Sequence, residues 1–254
     1  MMTKVSDMED ATPLVAANDA SSESKARAAY VSNGIADDIE IQAAIKELPG
    51  GGLAMLRDKF QGKQWFSEAT AYWASGFRPL VERLLEASRW VTFHRDNRDT
   101  DSVGLASVLK DAGGVFDSTL RALVKGAGIP PRGRDHDIVD FCNFLQREVP
   151  DIARRSVAIR TCLPAGVVVP LEELEAEGDV PAWWTAYNKV KHEGSVAYRL
   201  GNLENAVTAV CALALLGKLM SSSLPRLFVN AGIAYPEGSV DMSDERRLFP
   251  RRQG

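Results

Sequence analysis

Apolar residues recur at helical spacing over most of this chain. They follow a period of three and four residues in five segments, at about 65–95, 102–125, 138–149, 181–198 and 202–222. A period near 3.6 residues places such side chains on one face of a helix, which must then be buried against another element. The pattern therefore predicts a mainly α-helical fold, a helical bundle built from these segments.

Residues typical of helix starts stand at the beginning of three of these segments. Ser102 and Asn202 precede the second and the last helix, where a side-chain oxygen can accept a hydrogen bond from a free backbone amide. Pro181 opens the fourth, a position at which its missing N–H costs little. We therefore expect helices to begin at these three points.

Glycine and proline predict where the helical pattern is interrupted. Residues 76–79 contain Gly and Pro and predict a break in the first helix, and the Gly pair at 113–114 weakens the middle of the second. The Gly- and Pro-rich residues 126–133 predict a loop. Three valines at 167–169 predict a short extended stretch.

The same pattern divides the chain into four parts. Residues 1–30 are polar and small and predict a flexible lead-in, and residues 31–64 predict an appendage of a helix from Asp37 followed by an extended piece over 53–60. The helical domain covers 65–222, and residues 223–254 form an irregular tail. We expect the chemistry of the protein to lie in the helical domain.

Composition narrows the class of protein. The chain has 254 residues, 45% hydrophobic and 25% charged, so a wholly disordered or fibrous protein is excluded. With 30 basic and 34 acidic side chains, its net charge of −4 excludes coating of nucleic acid through bulk charge but permits a local basic patch.

Cysteine usage and hydropathy indicate a reducing, aqueous compartment. Cys142, Cys162 and Cys211 lie far apart without CxxC spacing, so we expect small buried apolar side chains and no metal site. The first 25 residues lack the apolar core of a signal peptide, and the apolar run 206–216 is too short to span a bilayer. We expect a cytoplasmic protein with no membrane partner.

The densest polar and aromatic cluster lies at 183–192. Trp184, Asn188 and His192 are four residues apart and share a helix face, with Tyr187, Lys189 and Lys191 beside them. Asn188 could hold one ring nitrogen of His192 and leave the other for a general base or a phosphate contact. The alternative is a buried helix anchor whose polar groups satisfy each other.

Two weaker candidates contain the other histidines. Arg89, His94 and Asn97 suggest a small anion site, although five residues of helix place Arg89 and His94 roughly 140° apart, and a solvated Arg with a helix-end His is the alternative. His136 stands between two aspartates and suggests half of a metal site, but no further ligand follows, and Asp135 as an N-cap is the simpler interpretation. We expect no metal and no cofactor.

Other motifs point away from familiar enzymes. The chain contains no GxGxxG, GxxxxGK[ST], GxSxG or EF-hand loop, which removes the main support for dinucleotide, P-loop and serine-hydrolase chemistry. The arginines near the carboxyl terminus predict a solvated tail, with RNA or phosphate contact as the alternative.

Three stretches resemble a family of bacterial helical proteins related to the HEPN superfamily. They are RWVTFH at 89–94 with Asn97, Thr100 and Ser102, then DFCNFL at 140–145, then WWTAYNKVKH at 183–192 with NLEN at 202–205. They are similar to the family patterns YVxxHxxN…TxS, YxxFL and WWxAYNxVKH…ANLxNxLxAL, and together they cover about residues 65–220.

The resemblance implies an all-α bundle, usually a homodimer, that binds RNA, a nucleotide or a partner chain, often in phage defence. Active members of the superfamily are metal-independent ribonucleases in which an Arg steadies the phosphate and a His takes the proton of the 2′-hydroxyl. Here His192 matches the His, but residues 185–187 are Thr, Ala and Tyr where the Arg is expected. The resemblance therefore favours binding without strong catalysis.

A shorter resemblance concerns the appendage. Residues 37–56 are similar to the helical cap that opens pectate-lyase-like parallel β-helix proteins, although no series of short strands follows. Two other functions thus stay open beside the RNA- or nucleotide-binding module. One is a structural protein that dimerises without ligand chemistry, and the other is a remnant of a carbohydrate-related β-helix fusion.

Overall fold

A computed structural model describes residues 55–159, 166–174, 178–193, 197–221 and 247–249. Within them the chain is mainly α-helical, as the apolar pattern predicts. The helices are α1 (Met55–Phe60), α2 (Gln64–Ser88), α3 (Val103–Gly126), α4 (Ile138–Glu148), α5 (Ala182–Glu193) and α6 (Leu203–Met220). Two short strands, β1 (Val157–Ile159) and β2 (Gly166–Val168), pair antiparallel, with Val157 opposite Val168.

Several predictions fall outside the described residues. They are the lead-in at 1–30, the helix from Asp37, most of the β-helix-like cap and most of the tail. The extended stretch predicted at the three valines 167–169 lies within the described residues. It is confirmed, because β2 is extended and buried.

The predicted N-caps of α3 and α6 are confirmed. Ser102 Oγ accepts a hydrogen bond from the backbone N–H of Leu105 at 3.1 Å, and Asn202 Oδ1 accepts one from Asn205 at 3.0 Å. Each bond satisfies one of the amides that a first helical turn leaves free.

The N-cap of α4 is Asp137, so the assignment of Asp135 to this position is wrong. The Asp137 carboxylate accepts from the backbone N–H groups of Val139 at 2.9 Å and Asp140 at 3.1 Å. Asp140 in turn accepts from the Asp137 N–H at 3.2 Å, which completes a capping box.

Two expectations about the first helices are corrected. Residues 55–60, predicted as extended, form α1, because they include good helix formers and Leu56 is fully buried. The break predicted at 76–79 is absent, and α2 continues through Pro79 and ends at Ser88. Gly76 serves close packing instead, since a Cβ there would lie 2.5 Å from a methyl of Val115 in α3.

The core is formed by α2, α3 and α6, which pack against one another. Helix α5 packs on α3 and α6, α4 on α3, and α1 on α6. Trp73 of α2 donates its indole N–H to the carbonyl of Leu213 in α6 at 2.8 Å. A Cβ at Gly217 would overlap the same indole at 1.8 Å, so this glycine permits the close approach of α2 and α6.

Helix α6 lies at the centre of the bundle. Its length and its mean hydropathy of 1.5 would suffice to cross a membrane, but 83% of this stretch is buried inside the protein, as in core helices of soluble proteins. Lys218 is buried among its apolar residues with 1% of its surface exposed.

Residues 247–249 do not form the solvated tail that their charge pattern predicted. The N–H of Leu248 donates to the carbonyl of Val167 in β2 at 2.9 Å, and Leu248 and Phe249 are buried. Arg247 forms an ion pair with Glu172. The apolar side chains of Leu248 and Phe249 explain the docking, because their burial removes hydrophobic surface from water.

Candidate functional site

Aromatic side chains fix α5 to the bundle. The ring of Phe116 in α3 meets Trp183 edge-on, with centroids 5.1 Å apart, and the Trp183 indole N–H donates to the carbonyl of Pro170 at 2.9 Å. The rings of Trp184 and Tyr187 lie 4.8 Å apart and are 5% and 2% exposed. Trp184 and Tyr187, predicted as binding residues, therefore anchor the helix and present no ring face to a ligand.

Gly113 makes room for this anchor. A Cβ at position 113 would lie 2.3 Å from the ring of Tyr187, which no side chain could tolerate without movement. The glycine that weakens α3 in the sequence is thus the point at which α5 docks on it. A Cβ at its neighbour Gly114 would meet no atom within 4 Å, so Gly114 has no such role.

The polar half of α5 faces solvent. Lys189, Lys191 and His192 are exposed in the last turns of the helix, and Asn188 is half-buried. Lys191 is held in place, since its Nζ donates to the Tyr187 hydroxyl at 3.1 Å and lies 5.3 Å from the centre of that ring. Among the described residues no hydrogen bond joins Asn188 to His192, so the predicted orientation of the imidazole by Asn188 is not present.

The residues of the second predicted cluster shape a loop. Arg89 is the exposed C-cap of α2, and His94 Nδ1 accepts from the backbone N–H of Asp96 at 3.3 Å at the start of a short 3-10 helix, Arg95–Asn97. Asn97 Nδ2 donates to the carbonyl of Thr92 at 2.9 Å. Within the part of the chain that the structure describes, no hydrogen bond or ion pair joins Arg89 to His94.

Backbone hydrogen bonds tie this loop to the start of α6. The carbonyls of Arg98 and Thr100 accept from the N–H groups of Glu204 at 3.1 Å and Leu203 at 2.9 Å. The guanidinium of Arg98 also pairs with the carboxylate of Glu204, with Nε 3.1 Å from Oε2. The loop between α2 and α3 therefore lies against the amino end of α6.

The carboxyl end of α5 lies at this same end of the bundle. Helix α5 contacts the 3-10 helix Tyr198–Leu200, which directly precedes the amino end of α6. Ala197 lies five positions after His192, so the Cα atoms of the two residues are at most about 18 Å apart. The structure thus brings both predicted clusters to one end of the helical bundle.

Exposed aromatic residues at this end were not singled out from the sequence. Trp90 is 84% exposed and Tyr198 is 44% exposed. Arg199 is close to Tyr198, and its pKa is raised, first by a hydrogen bond with that side chain and then by the charges of Tyr198 and Asp101. A signal for Trp90 did exist, because it falls off the apolar stripe of α2 that includes Leu84.

The remaining candidates are His136 and the three cysteines. The described residues contain no group of three or more potential metal ligands, and His136 Nδ1 lies 3.6 Å from a carboxylate oxygen of Asp140. Cys142 and Cys211 are buried as predicted, and burial raises the pKa of the Cys142 thiol to about 12, which keeps it in the thiol form near neutral pH. Cys162 lies outside the described residues.

A groove of about 590 Å³ lies between the amino half of α2 and the carboxyl half of α3. Trp65, Tyr72, Ala122 and Lys125 are among the residues that line it. Lys125 lies 22 residues from Val103, so about 33 Å of helix separates it from the candidate site.

We define the candidate site as the exposed end formed by the last turns of α5, the loop from Arg89 to Ser102 and the 3-10 helix Tyr198–Leu200. Comparison with models of protein families, with curated proteins and with solved structures found no match to this chain.

Proposed function

We propose that this protein is a HEPN-like helical module that binds RNA or a nucleotide at the candidate site, without strong catalysis. The observation that carries the proposal is the division of α5 into two halves. Its aromatic residues are buried in the core, while Lys189, Lys191 and His192 extend into solvent from a helix that those residues hold rigid.

The side chains at this end match the chemistry of a nucleic-acid strand. Exposed cations contact phosphates, and exposed aromatic rings such as those of Trp90 and Tyr198 stack on bases. The flanking acids Asp96, Asp99 and Asp101 lower the net positive charge, which favours a short contact over the coating of a long duplex.

Weak or absent cleavage follows from the surroundings of His192. A general base in RNA cleavage needs an oriented imidazole and a cation on the scissile phosphate. Within the described part of the chain Asn188 makes no hydrogen bond to His192, and residues 185–187 supply no arginine. A lysine such as Lys191 is a point charge and replaces the forked guanidinium poorly.

Binding of a fluorescent single-stranded RNA of mixed sequence, without metal, tests the proposal. We expect Lys189→Glu/Lys191→Glu to weaken binding by about tenfold or more and to lower its dependence on salt, because phosphate contacts are lost. The matched control is Lys63→Glu/Lys125→Glu, the same change of charge on exposed residues at the other end of the bundle. Equal affinities of the two variants would contradict the proposal.

Cleavage of the same RNA separates binding from catalysis. We expect wild type and His192→Ala to leave the RNA intact over hours. Cleavage by wild type that His192→Ala abolishes, with the fold retained, would instead identify a ribonuclease.

The second candidate function is a homodimeric structural protein without a ligand. The burial of Trp184 and Tyr187 favours it, because these residues form a helix anchor that needs no ligand. Its expected signature is a dimeric mass by light scattering, no RNA binding, and a lower melting temperature for Tyr187→Ala.

A further inference from the structure

The second edge of β2 is covered by the carboxyl-terminal segment of the chain. One edge of β2 pairs with β1, and along the other edge Val167 forms a parallel bridge with Arg247. We call the surface around this outer edge, with Gly166, Val167 and Glu172, the β2 groove.

Three independent contacts select the segment that occupies the β2 groove. The carbonyl of Val167 accepts from the Leu248 N–H at 2.9 Å, Glu172 pairs with the Arg247 guanidinium, and Leu248 and Phe249 are 5% and 8% exposed. The members of the ion pair are themselves largely buried, at 15% and 16% exposure. The β2 groove thus favours a peptide segment in which a cationic residue is followed by two large apolar residues.

Gly166 adds a shape requirement. A Cβ at this position would lie 2.9 Å from the Cβ of Leu248, so a side chain here would push the segment away. The backbone of β2 is therefore shaped to accept a neighbouring strand at this point. An uncovered strand edge is a template for a further strand, and many peptide-binding domains use such an edge in this way.

The chain between α6 and this segment is long enough for the segment to leave the groove while it stays attached. Residues 222–246 connect the two. These 25 or so residues could span as much as about 85 Å when extended, so the tether does not fix the segment to its own molecule.

We propose that the β2 groove is a peptide-binding site for an extended segment in which an arginine precedes two large apolar residues. Arg247, Leu248 and Phe249 are its resident occupant, and the same segment supplied by another chain exchanges with them. The β2 groove shares no residue with the candidate site, and this proposal does not depend on the function proposed for that site.

Exchange can be measured on the full chain after a single cut. A protease recognition sequence is inserted between Gly238 and Ser239, the folded protein is cleaved, and the labelled fragment 239–254 is followed by gel filtration and fluorescence anisotropy. We expect the fragment to stay bound at high protein concentration and to be replaced within minutes to hours by an excess of unlabelled peptide of residues 239–254. We expect it to rebind with micromolar affinity.

Two results would overturn the proposal. A fragment that stays bound for days against a hundredfold excess of peptide would be an integral strand of the fold. A fragment that leaves and does not rebind, or whose loss unfolds the protein, would likewise not be a ligand.

A charge exchange tests the specificity of the same cut protein. Glu172→Arg is expected to weaken binding of the natural peptide by at least tenfold, and a peptide with Arg247→Glu is expected to bind this variant better than it binds wild type. Glu68→Arg, which reverses an exposed acid in α2, is the control and should bind the natural peptide unchanged. Binding that ignores both charges would mean that Glu172 does not select the arginine.

Discussion

Lys218 is the most unusual single residue of the bundle. It lies in the apolar helix α6 with 1% of its surface exposed. Burial, and after it the positive charge of Arg57, lowers the pKa of its amine from 10.5 to about 8. Between these two pH values the unfolded chain holds a proton that the native protein has released.

This difference predicts how stability changes with pH. The free energy of unfolding of wild type should rise relative to that of Lys218→Met as the pH increases from 8 to above 10, by up to about 3 kcal/mol. Below pH 8 the buried amine of wild type is charged and destabilises the fold by its full amount. The free energy of unfolding of Lys218→Met therefore exceeds that of wild type by the largest margin below pH 8. Urea unfolding of both proteins at pH 7 and pH 10 measures the effect.

The comparison with Lys218→Met removes the contribution of other groups. Cys142 acts in the opposite direction, since its raised pKa lowers stability above pH 9, but it does so equally in both proteins. Curves of stability against pH that run parallel for wild type and variant would contradict the prediction.

A second prediction concerns the two aspartates before α4. Asp137→Ala should lower the free energy of unfolding by about 1 kcal/mol, because two backbone amides lose their acceptor. Asp135→Ala should have almost no effect, since Asp135 is exposed and outside the capping box. Thermal unfolding followed by circular dichroism checks the pair, and equal losses would argue against the cap.

At this scale the sequence predicted which kinds of residue cap helices but not always which one. Ser102 and Asn202 directly precede the apolar stripes of α3 and α6, which identified them correctly. Asp135 and Asp137 lie two residues apart, and only the reciprocal bond of Asp140 decides between them. Such a choice depends on backbone geometry that residue types do not specify.

Among the elements, α3 offers the sharpest test, through its adjacent glycines. Gly113→Ala should destabilise the protein by about 1–3 kcal/mol, because the new methyl would overlap the ring of Tyr187. Gly114→Ala should stabilise it by about 0.5–1 kcal/mol, because alanine favours a helix and the position is open. Urea unfolding measures both, and effects of the same sign would show that Tyr187 does not pack as described.

The long helices were predictable because their apolar stripes are long. The helix α1 was not, since six residues are too few to show a period, and its helical state depends on the burial of Leu56. The continuity of α2 through Pro79 was also missed. The close contact between Gly76 and Val115 shows that tertiary packing, absent from local propensity, decides that region.

Helix α5 shows what cannot be predicted from the positions of residues on one helix face. The spacing of Trp184, Asn188 and His192 correctly places them on one side of a helix. Yet along that side the residues change from buried Trp184 through half-buried Asn188 to exposed His192. Residue spacing carries no information on where the neighbouring helices end. It therefore could not show that Trp184 is buried against the bundle while His192 is exposed to solvent.

For the whole molecule, the central position of α6 predicts cooperative unfolding. Leu213→Ala creates a cavity at a fully buried position and should lower the free energy of unfolding by about 2–5 kcal/mol. Because α6 contacts α1, α2, α3 and α5, helix content and tryptophan fluorescence should be lost at the same urea concentration. Two separate transitions would indicate that α5 unfolds independently.

The docking of residues 247–249 could not have been predicted from the chain. Local pattern shows an arginine followed by two apolar residues, but their partners Val167 and Glu172 lie about 80 positions earlier. Pairing at such separation depends on the finished surface around β2. The helices were therefore predictable from the sequence, while this contact between distant segments was not.

The central position of α6 also matters while the chain is being made. Its mean hydropathy of 1.5 is high enough for a membrane-spanning helix. If such a segment is exposed in an incomplete chain, it aggregates or binds chaperones. The helices that cover it, α1, α2, α3 and α5, all precede it in the sequence, so they have left the ribosome before it emerges. The order of translation therefore exposes the most apolar of these helices only after the helices that bury it have been synthesised.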